Sequence, residues 1–268
     1  MPRQRPVDEW SGADAYEAYV GRWSRPVARH FLVWLGAGTR QRWLDVGCGT
    51  GALTATIAAV TDPREVVGID PSGAYLEQAR RLVDDRRVRF LEAGASAPPS
   101  GQPFDAAVSG LVLNFLGDLP SALEAIRQVV EPQGIMAAYV WDYSDRMEMM
   151  RYLWDAAAAL DNSARELDEG VRFPLCDPDR LAEVWRAAGF HGVETTPIEV
   201  ATRFRNFDDY WLPFLGGQGP APGYVMSLTE ERRVVLREAV RSLLPIAPDG
   251  SVSLVARAWA VKGRTPPI

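Results

Sequence analysis

Lysine is almost absent from this chain. Of its 29 lysine and arginine residues only Lys262 is a lysine, which all but excludes a Schiff-base mechanism or a lysine general base. Histidine is nearly as scarce, with two residues. His30 falls in an amphipathic helical stretch and reads as structural; His191 falls in a Gly-Phe-His-Gly turn and reads as solvent-exposed, so neither is assigned as a base. Two cysteines, one of them Cys48, cannot build a disulfide framework, which points to a reducing, cytoplasmic setting. No apolar run is long enough to span a bilayer, and Met1–Trp10 has no apolar core of the kind a signal peptide needs. Positive charge is in deficit: the formal net charge of −6 disfavours nucleic acid or an anionic membrane as a partner. Metal ligands are missing too. Asp208 and Asp209 are adjacent and point apart on a helix, and no His, Cys or carboxylate group has ligand spacing.

What is present is a 268-residue chain with 47% hydrophobic and 24% charged residues, the balance of a soluble globular protein with a sizeable core. Its informative stretch is Trp43-Leu44-Asp45-Val46-Gly47-Cys48-Gly49-Thr50-Gly51-Ala52-Leu53, read as a buried strand, a glycine turn and the opening of a helix. Three glycines at alternate positions are expected to clear one side of the turn of β-carbons, so that the backbone lies against a ligand at the carboxyl end of the strand. Asp45 precedes the first glycine by two residues. A second strand, Glu65–Asp70, ends in an acid placed to accept the two hydroxyls of a ribose. Gly47, Gly49 and Ala52 loosely satisfy the G-x-G-x-x-G/A pattern of nicotinamide folds. A carboxylate at Asp45 would then face a pyrophosphate, which is electrostatically wrong, whereas it suits a ligand carrying an ammonium and a sulfonium.

On these residues the chain resembles the class I S-adenosylmethionine-dependent methyltransferases, whose first motif is D/E-x-G-x-G-x-G, and in particular their small-molecule, ubiquinone- and menaquinone-biosynthesis-type branch. The resemblance spans residues 13–141. It implies an α/β, Rossmann-like fold with a seven-stranded, mostly parallel sheet and an antiparallel edge pair, plus helical cap insertions. It implies S-adenosyl-L-methionine as cofactor and a small-molecule methyl acceptor as partner. Asp45, Gly47, Cys48 and Gly49 would hold the methionine part, Asp70 the ribose with Pro71 after it, and Tyr75, Ala95 and Ser96 the adenine. Ser109 would face the same crevice. An N-terminal cap, residues 1–35, would bring Tyr19, Arg22 and Trp23 over the cofactor, Arg22 pairing with its carboxylate; Tyr16, Tyr19 and Trp23 equally fit an ordinary core. One departure stands out. Ala95 occupies the place where the family has an aspartate that accepts from the adenine amino group.

Elsewhere, Pro26 is expected to break residues 13–35 into two helices, and Ser72 to cap a helix reaching Val83. Asn114 either points into the crevice or caps a helix over 121–130. A Glu131–Gly134 turn leads to a fifth strand, Ile135–Trp141. Within a main domain over 36–268, insertions at 142–175 and 203–250 are expected to form a substrate lid, with Trp141, Tyr143, Phe173 and Trp211 lining it beside Asn114. Methyl transfer is an in-line displacement on an already activated carbon, so the protein supplies alignment and desolvation, plus a base where the acceptor needs one. No catalytic residue is assigned, although Asp142 or Tyr143 stands where a base could act. Two other readings remain: an RNA or protein methyltransferase, and a cofactor-binding protein with lost or non-methylating activity, favoured only by Ala95.

Overall fold

Runs of buried β-branched and small residues make the strands. β1 (Arg42–Val46) and β2 (Glu65–Asp70) are buried at every residue but the first, the pattern of strands covered on both faces. β1 pairs in parallel with β2 and with β4 (Phe104–Gly110), and β2 with β3 (Val88–Glu92). β4 pairs in parallel with β5 (Val130–Trp141). With β6 (His191–Phe204) and β7 (Val252–Arg264) the sheet has seven strands in the order β3-β2-β1-β4-β5-β7-β6, mostly parallel with an antiparallel edge pair, as the resemblance implied. The order reverses direction between β1 and β4, the switch point at which open α/β sheets bind ligands. The computed structural model describes residues 17–217 and 219–267, so Tyr16 and Gln218 lie outside the described residues.

The chain divides into two compact units. A sheet unit comprises Ser24–Val140, Leu175–Ile198 and Ala258–Ile268; a helix-rich unit comprises Met1–Trp23, Trp141–Pro174 and Glu199–Arg257. The core of the sheet unit joins Leu44, Val46, Val67, Ile69, Ala107 and Met136 from the strands to Leu123, Ile126, Leu181 and Trp185 from the flanking helices. Helices α1 (Arg22–Leu35), α2 (Ala52–Val60) and α3 (Gly73–Leu82) come first in the chain. Leu123 and Ile126 lie on α4 (Leu119–Gln128), and Leu181 and Trp185 on a later helix over Pro178–Ala187.

Several boundaries differ from expectation. Pro26 does not break the first helix: α1 runs unbroken through it, and the irregularity is a π-helical turn at Glu17–Gly21. As the fifth residue of α1, Pro26 leaves the carbonyl of Arg22 without its usual amide partner, one lost hydrogen bond next to the π-helical turn, and the helix continues past it. The Glu131–Gly134 turn is a bulge inside one long strand. Phe104 pairs with Val130 and Ala106 with Ile135, and Gln133 takes φ 63° to absorb the extra residues. The helix after β4 is capped by Asp118, whose side chain accepts from the Ser121 amide, and not by Asn114. His191 is the first, exposed residue of β6 rather than part of a turn.

Candidate functional site

The glycine turn joins β1 to α2, and its three glycines are there for different reasons. Gly47, Gly49 and Gly51 all take positive φ, at 70°, 53° and 85°. A Cβ on Gly47 would sit 2.6 Å from Val112, and one on Gly51 would sit 3.1 Å from Val83 and 3.2 Å from Phe90. A Cβ on Gly49 would meet nothing within 4 Å. The turn therefore does not present one cleared edge of three glycines. Gly47 and Gly51 answer to packing and backbone, and Gly49 alone fronts open space where a ligand can approach. Gly68, which the motif does not include, lets Phe90 and the Cys48 thiol close on β2 at 2.8 and 3.0 Å from where its Cβ would be.

Asp45 is fully buried at the end of β1. Its Oδ2 accepts from the Thr54 hydroxyl at 2.6 Å, while its Oδ1 is buried without a hydrogen-bond partner. Burial, offset in part by the Thr54 bond and reinforced by the charge of Asp70, raises its pKa to about 7. An unpaired buried carboxylate oxygen costs on the order of 1–3 kcal/mol or more, a cost that a cationic ligand would relieve. Asp70 closes the other side. Its Oδ2 accepts from the Gly49 amide at 3.0 Å and its Oδ1 from the Ser72 amide at 2.8 Å, and burial raises its pKa as well. Each of its oxygens keeps a further lone pair for a ligand hydroxyl. The same carboxylate thus pins the glycine turn to the cap of α3, where the Ser72 side chain accepts from the Tyr75 amide.

The remaining candidates of this unit fall into four groups. Cys48 packs its thiol with Leu76, Ala79 and Phe90, its amide bonds Ile69, and burial pushes its pKa up, so it offers shape and no reactive sulfur. Ser109 is fully buried and donates to the Val46 carbonyl at 2.9 Å, tying β4 to the end of β1. Pro71 and Ser96 are exposed, Tyr75 is half-buried, and Ala95 is half-buried against the sheet core. Asn114 lies in a 3-10 turn, Leu113–Phe115, with its Oδ1 buried and unpartnered. Sequence reading missed Leu111, which holds φ 66° directly after β4 while its amide bonds the Tyr139 carbonyl. Strain of this kind gathers at ligand sites, and no residue type announces it.

In the helix-rich unit Tyr19, Trp23, Phe204, Phe207, Tyr210, Trp211 and Phe214 form one aromatic cluster, with Tyr19 and Phe214 at 5.3 Å and Trp23 and Phe204 at 5.6 Å. Trp211 belongs to it, whereas Tyr143 and Phe173 pair separately at 5.6 Å. Trp141 is buried. The Arg22 guanidinium lies over the Trp23 and Phe204 rings at 4.5 and 4.7 Å and donates through Nη1 to Asp209 at 3.0 Å. Its Nε and Nη2, the edge that receives a carboxylate in two parallel bonds, are buried without partners. Asp142 does not stand free as a base. It accepts from Arg257, from the Ser144 hydroxyl at 2.8 Å and from the Asp145 amide at 3.1 Å.

A mostly parallel sheet with a glycine turn at its switch point, an unpaired carboxylate oxygen under that turn and a second carboxylate beside it define an open α/β fold whose site is suited to a ligand with a cationic group and hydroxyls. The methyltransferase domain family matches residues 44–134. O-methyltransferase cnsE of Penicillium expansum is 31% identical over 236 residues, 80% of each chain. Trans-aconitate 2-methyltransferase of Methylobacterium radiotolerans is 29% identical over 195 residues, 68% of this chain and 74% of that protein. The YcgJ protein of Bacillus subtilis, 14% identical, shares the fold with a TM-score of 0.54 over 89% of this chain and 98% of its own. The chain belongs to the class I S-adenosylmethionine-dependent methyltransferase family.

Proposed function

We propose that this protein binds S-adenosylmethionine in the sheet unit and transfers its methyl group to a small organic acceptor. The observation that carries the cofactor assignment is the Asp45 Oδ1, buried and unpaired beneath the one turn glycine that fronts open space. Asp45 with Gly47 and Gly49 holds the methionine end, Asp70 the ribose hydroxyls, and Tyr75, Ala95 and Ser96 surround the adenine. The bound cofactor supplies a methyl group on a positively charged sulfur, already activated for displacement. Around it the chain holds the ammonium through Asp45, orients the sugar through Asp70 and keeps water away with Leu113, Val112 and the packed turn. In the helix-rich unit the Arg22 edge has the geometry to take a carboxylate, and Tyr143, Phe173, Trp141 and Trp211 offer aromatic faces that suit an organic acceptor; in the sheet unit Asn114 offers a polar group.

Titration calorimetry with S-adenosylhomocysteine tests the assignment. Micromolar binding is expected, with Asp70→Ala weakening it strongly; no heat at millimolar ligand would remove the reading. Acidic net charge and the sequence Leu113-Asn114-Phe115, which lacks an N-P-P-Y/F pattern after β4, both favour a small acceptor over RNA or protein.

A further inference from the structure

The helix-rich unit contains a carboxylate that the reading above leaves without a task. Glu169 opens a short helix, Glu169–Arg172, and is 1% exposed. Its Oε2 accepts from the Trp154 indole N–H and its Oε1 from the Ala221 amide at 3.2 Å. Both donors are neutral. The neighbouring Asp168 has a cation of its own, since Arg151 donates to both its oxygens, but Glu169 has no ion pair among the described residues. Burying an ionised carboxylate without a countercharge is costly, and burial holds its pKa up at about 7.

The surroundings are aromatic and include a second unsatisfied group. Tyr19 is 1% exposed and its hydroxyl is buried without a partner. Burial first, then the nearby charges of Glu169, Tyr143 and Tyr210, keep that hydroxyl protonated well beyond its ordinary range. Tyr210 spends its own hydroxyl on the Met149 carbonyl at 2.7 Å, so it does not serve Tyr19. Trp154 leans on Tyr224 at 5.2 Å, and Tyr143 on Phe173 at 5.6 Å. A helix N-terminus at Ala221 and an indole explain why an acceptor group sits at 169. They do not neutralise its charge, and they leave the Tyr19 hydroxyl unused.

We propose that Glu169 and Tyr19 recognise the methyl acceptor, and that this acceptor is an organic amine presented as its ammonium ion. An ammonium donates to the carboxylate and to the phenolic oxygen at once, brings the missing positive charge, and is attracted by the surrounding ring faces. A neutral alcohol has one O–H to donate, so it serves only one of the two acceptors and leaves the charge uncompensated. The nitrogen must shed a proton before it can act as a nucleophile, and Glu169 is the group that takes it: R–NH3+ and the carboxylate become R–NH2 and the carboxylic acid, freeing the lone pair. The proposal rests on the methyltransferase reading and moves Tyr19 from the cofactor, where the family resemblance put it, to the acceptor.

The test is calorimetry on the full chain saturated with S-adenosylhomocysteine, whose own binding is measured first and reports separately on the cofactor site. The probes are benzylammonium, 2-phenylethylammonium and tetramethylammonium, each against the neutral alcohol or hydrocarbon of matched shape. At least one ammonium is expected to bind tenfold or more tightly than its neutral match. Glu169→Gln is expected to erase that preference without changing S-adenosylhomocysteine affinity. Should Glu169→Gln fail to fold, Tyr19→Phe, which removes only the hydroxyl, is expected to weaken the ammonium several-fold. Equal binding of ammonium and neutral probes, no binding of any ammonium by the wild type, or an ammonium preference untouched in the variants would overturn the proposal and leave Glu169 a structural clamp only.

Discussion

Asp45 and Gly49 are two residues whose substitution separates binding from folding. Asp45→Asn keeps the size and the Thr54 contact but removes the charge facing a ligand ammonium, and a charged hydrogen bond is worth about 1.5–3 kcal/mol. S-adenosylhomocysteine affinity is expected to fall roughly 10- to 100-fold, read by calorimetry. The protonation of Asp45 gives a sharper sign. With its pKa at about 7 in the free protein, a ligand ammonium pulls that value down, so binding at pH 6.5 releases a proton and affinity rises with pH towards 7. Calorimetry in two buffers of different ionisation enthalpy reads the release, and Asp45→Asn is expected to abolish it. Gly49→Ala places its methyl in open space and costs about 1 kcal/mol of stability for its positive φ, while blocking the ligand. Gly47→Ala drives a methyl into Val112 and is expected to lower Tm by more than Gly49→Ala does. Loss of binding with a larger Tm drop at Gly49 than at Gly47 would contradict this division of roles.

At the scale of elements, the site is held by the ends of strands and the first turns of helices. Ser72 caps α3 while its amide donates to Asp70, so one turn both stabilises the helix and sets the carboxylate. Ser72→Ala removes the cap, at a cost of about 1 kcal/mol, and leaves the amide in place. The expected result is a Tm lower by about 2 °C, with S-adenosylhomocysteine affinity changed by less than about threefold. The strand ends and the Ser72 cap were legible because each rests on local chemistry: burial of apolar residues, and a side chain that accepts from a backbone amide. The course of α1 through Pro26 and the bulge over 131–134 were not. A proline's cost depends on where in the helix it falls, and a bulge depends on the register of the neighbouring strand, and neither quantity is local.

For the whole molecule, the raised carboxylates predict the direction of its pH dependence, with Asp45 and Glu169 shifted to about 7 and Asp70 raised in the same sense. Asp45 and Glu169 stand at about 7 folded, against about 4 for unfolded carboxylates. Between those values the folded chain holds protons that the unfolded chain has released, so stability is full below about pH 4 on their account and falls as pH rises to about 7. Asp85, lowered to about 2 by Arg87, acts oppositely and only below pH 4. Thermal melts from pH 4 to 8 without ligand are expected to show Tm falling and then levelling near 7, with the fall reduced in both Asp45→Asn and Glu169→Gln. A Tm that climbs across that range would show that neither group is buried as described. No helix among the described residues is long and apolar enough to cross a membrane.

The sequence by itself determined the class of fold and the family, because both are written in short-range patterns: a strand, a glycine turn and a helix with Asp45 before it, and a second strand ending in Asp70. It could not say which of the three glycines meets open space, since Val112, Val83 and Phe90 reach the other two from distant parts of the chain. Nor could it single out Glu169, an ordinary acid in an unremarked stretch. Its raised pKa arises only when folding buries it against the Trp154 indole and the start of the helix at Ala221, with no ion pair among the described residues. Patterning along the chain fixes which backbone forms; the energy of a buried charge depends on what the other segments bring to it, and tertiary structure alone decides that.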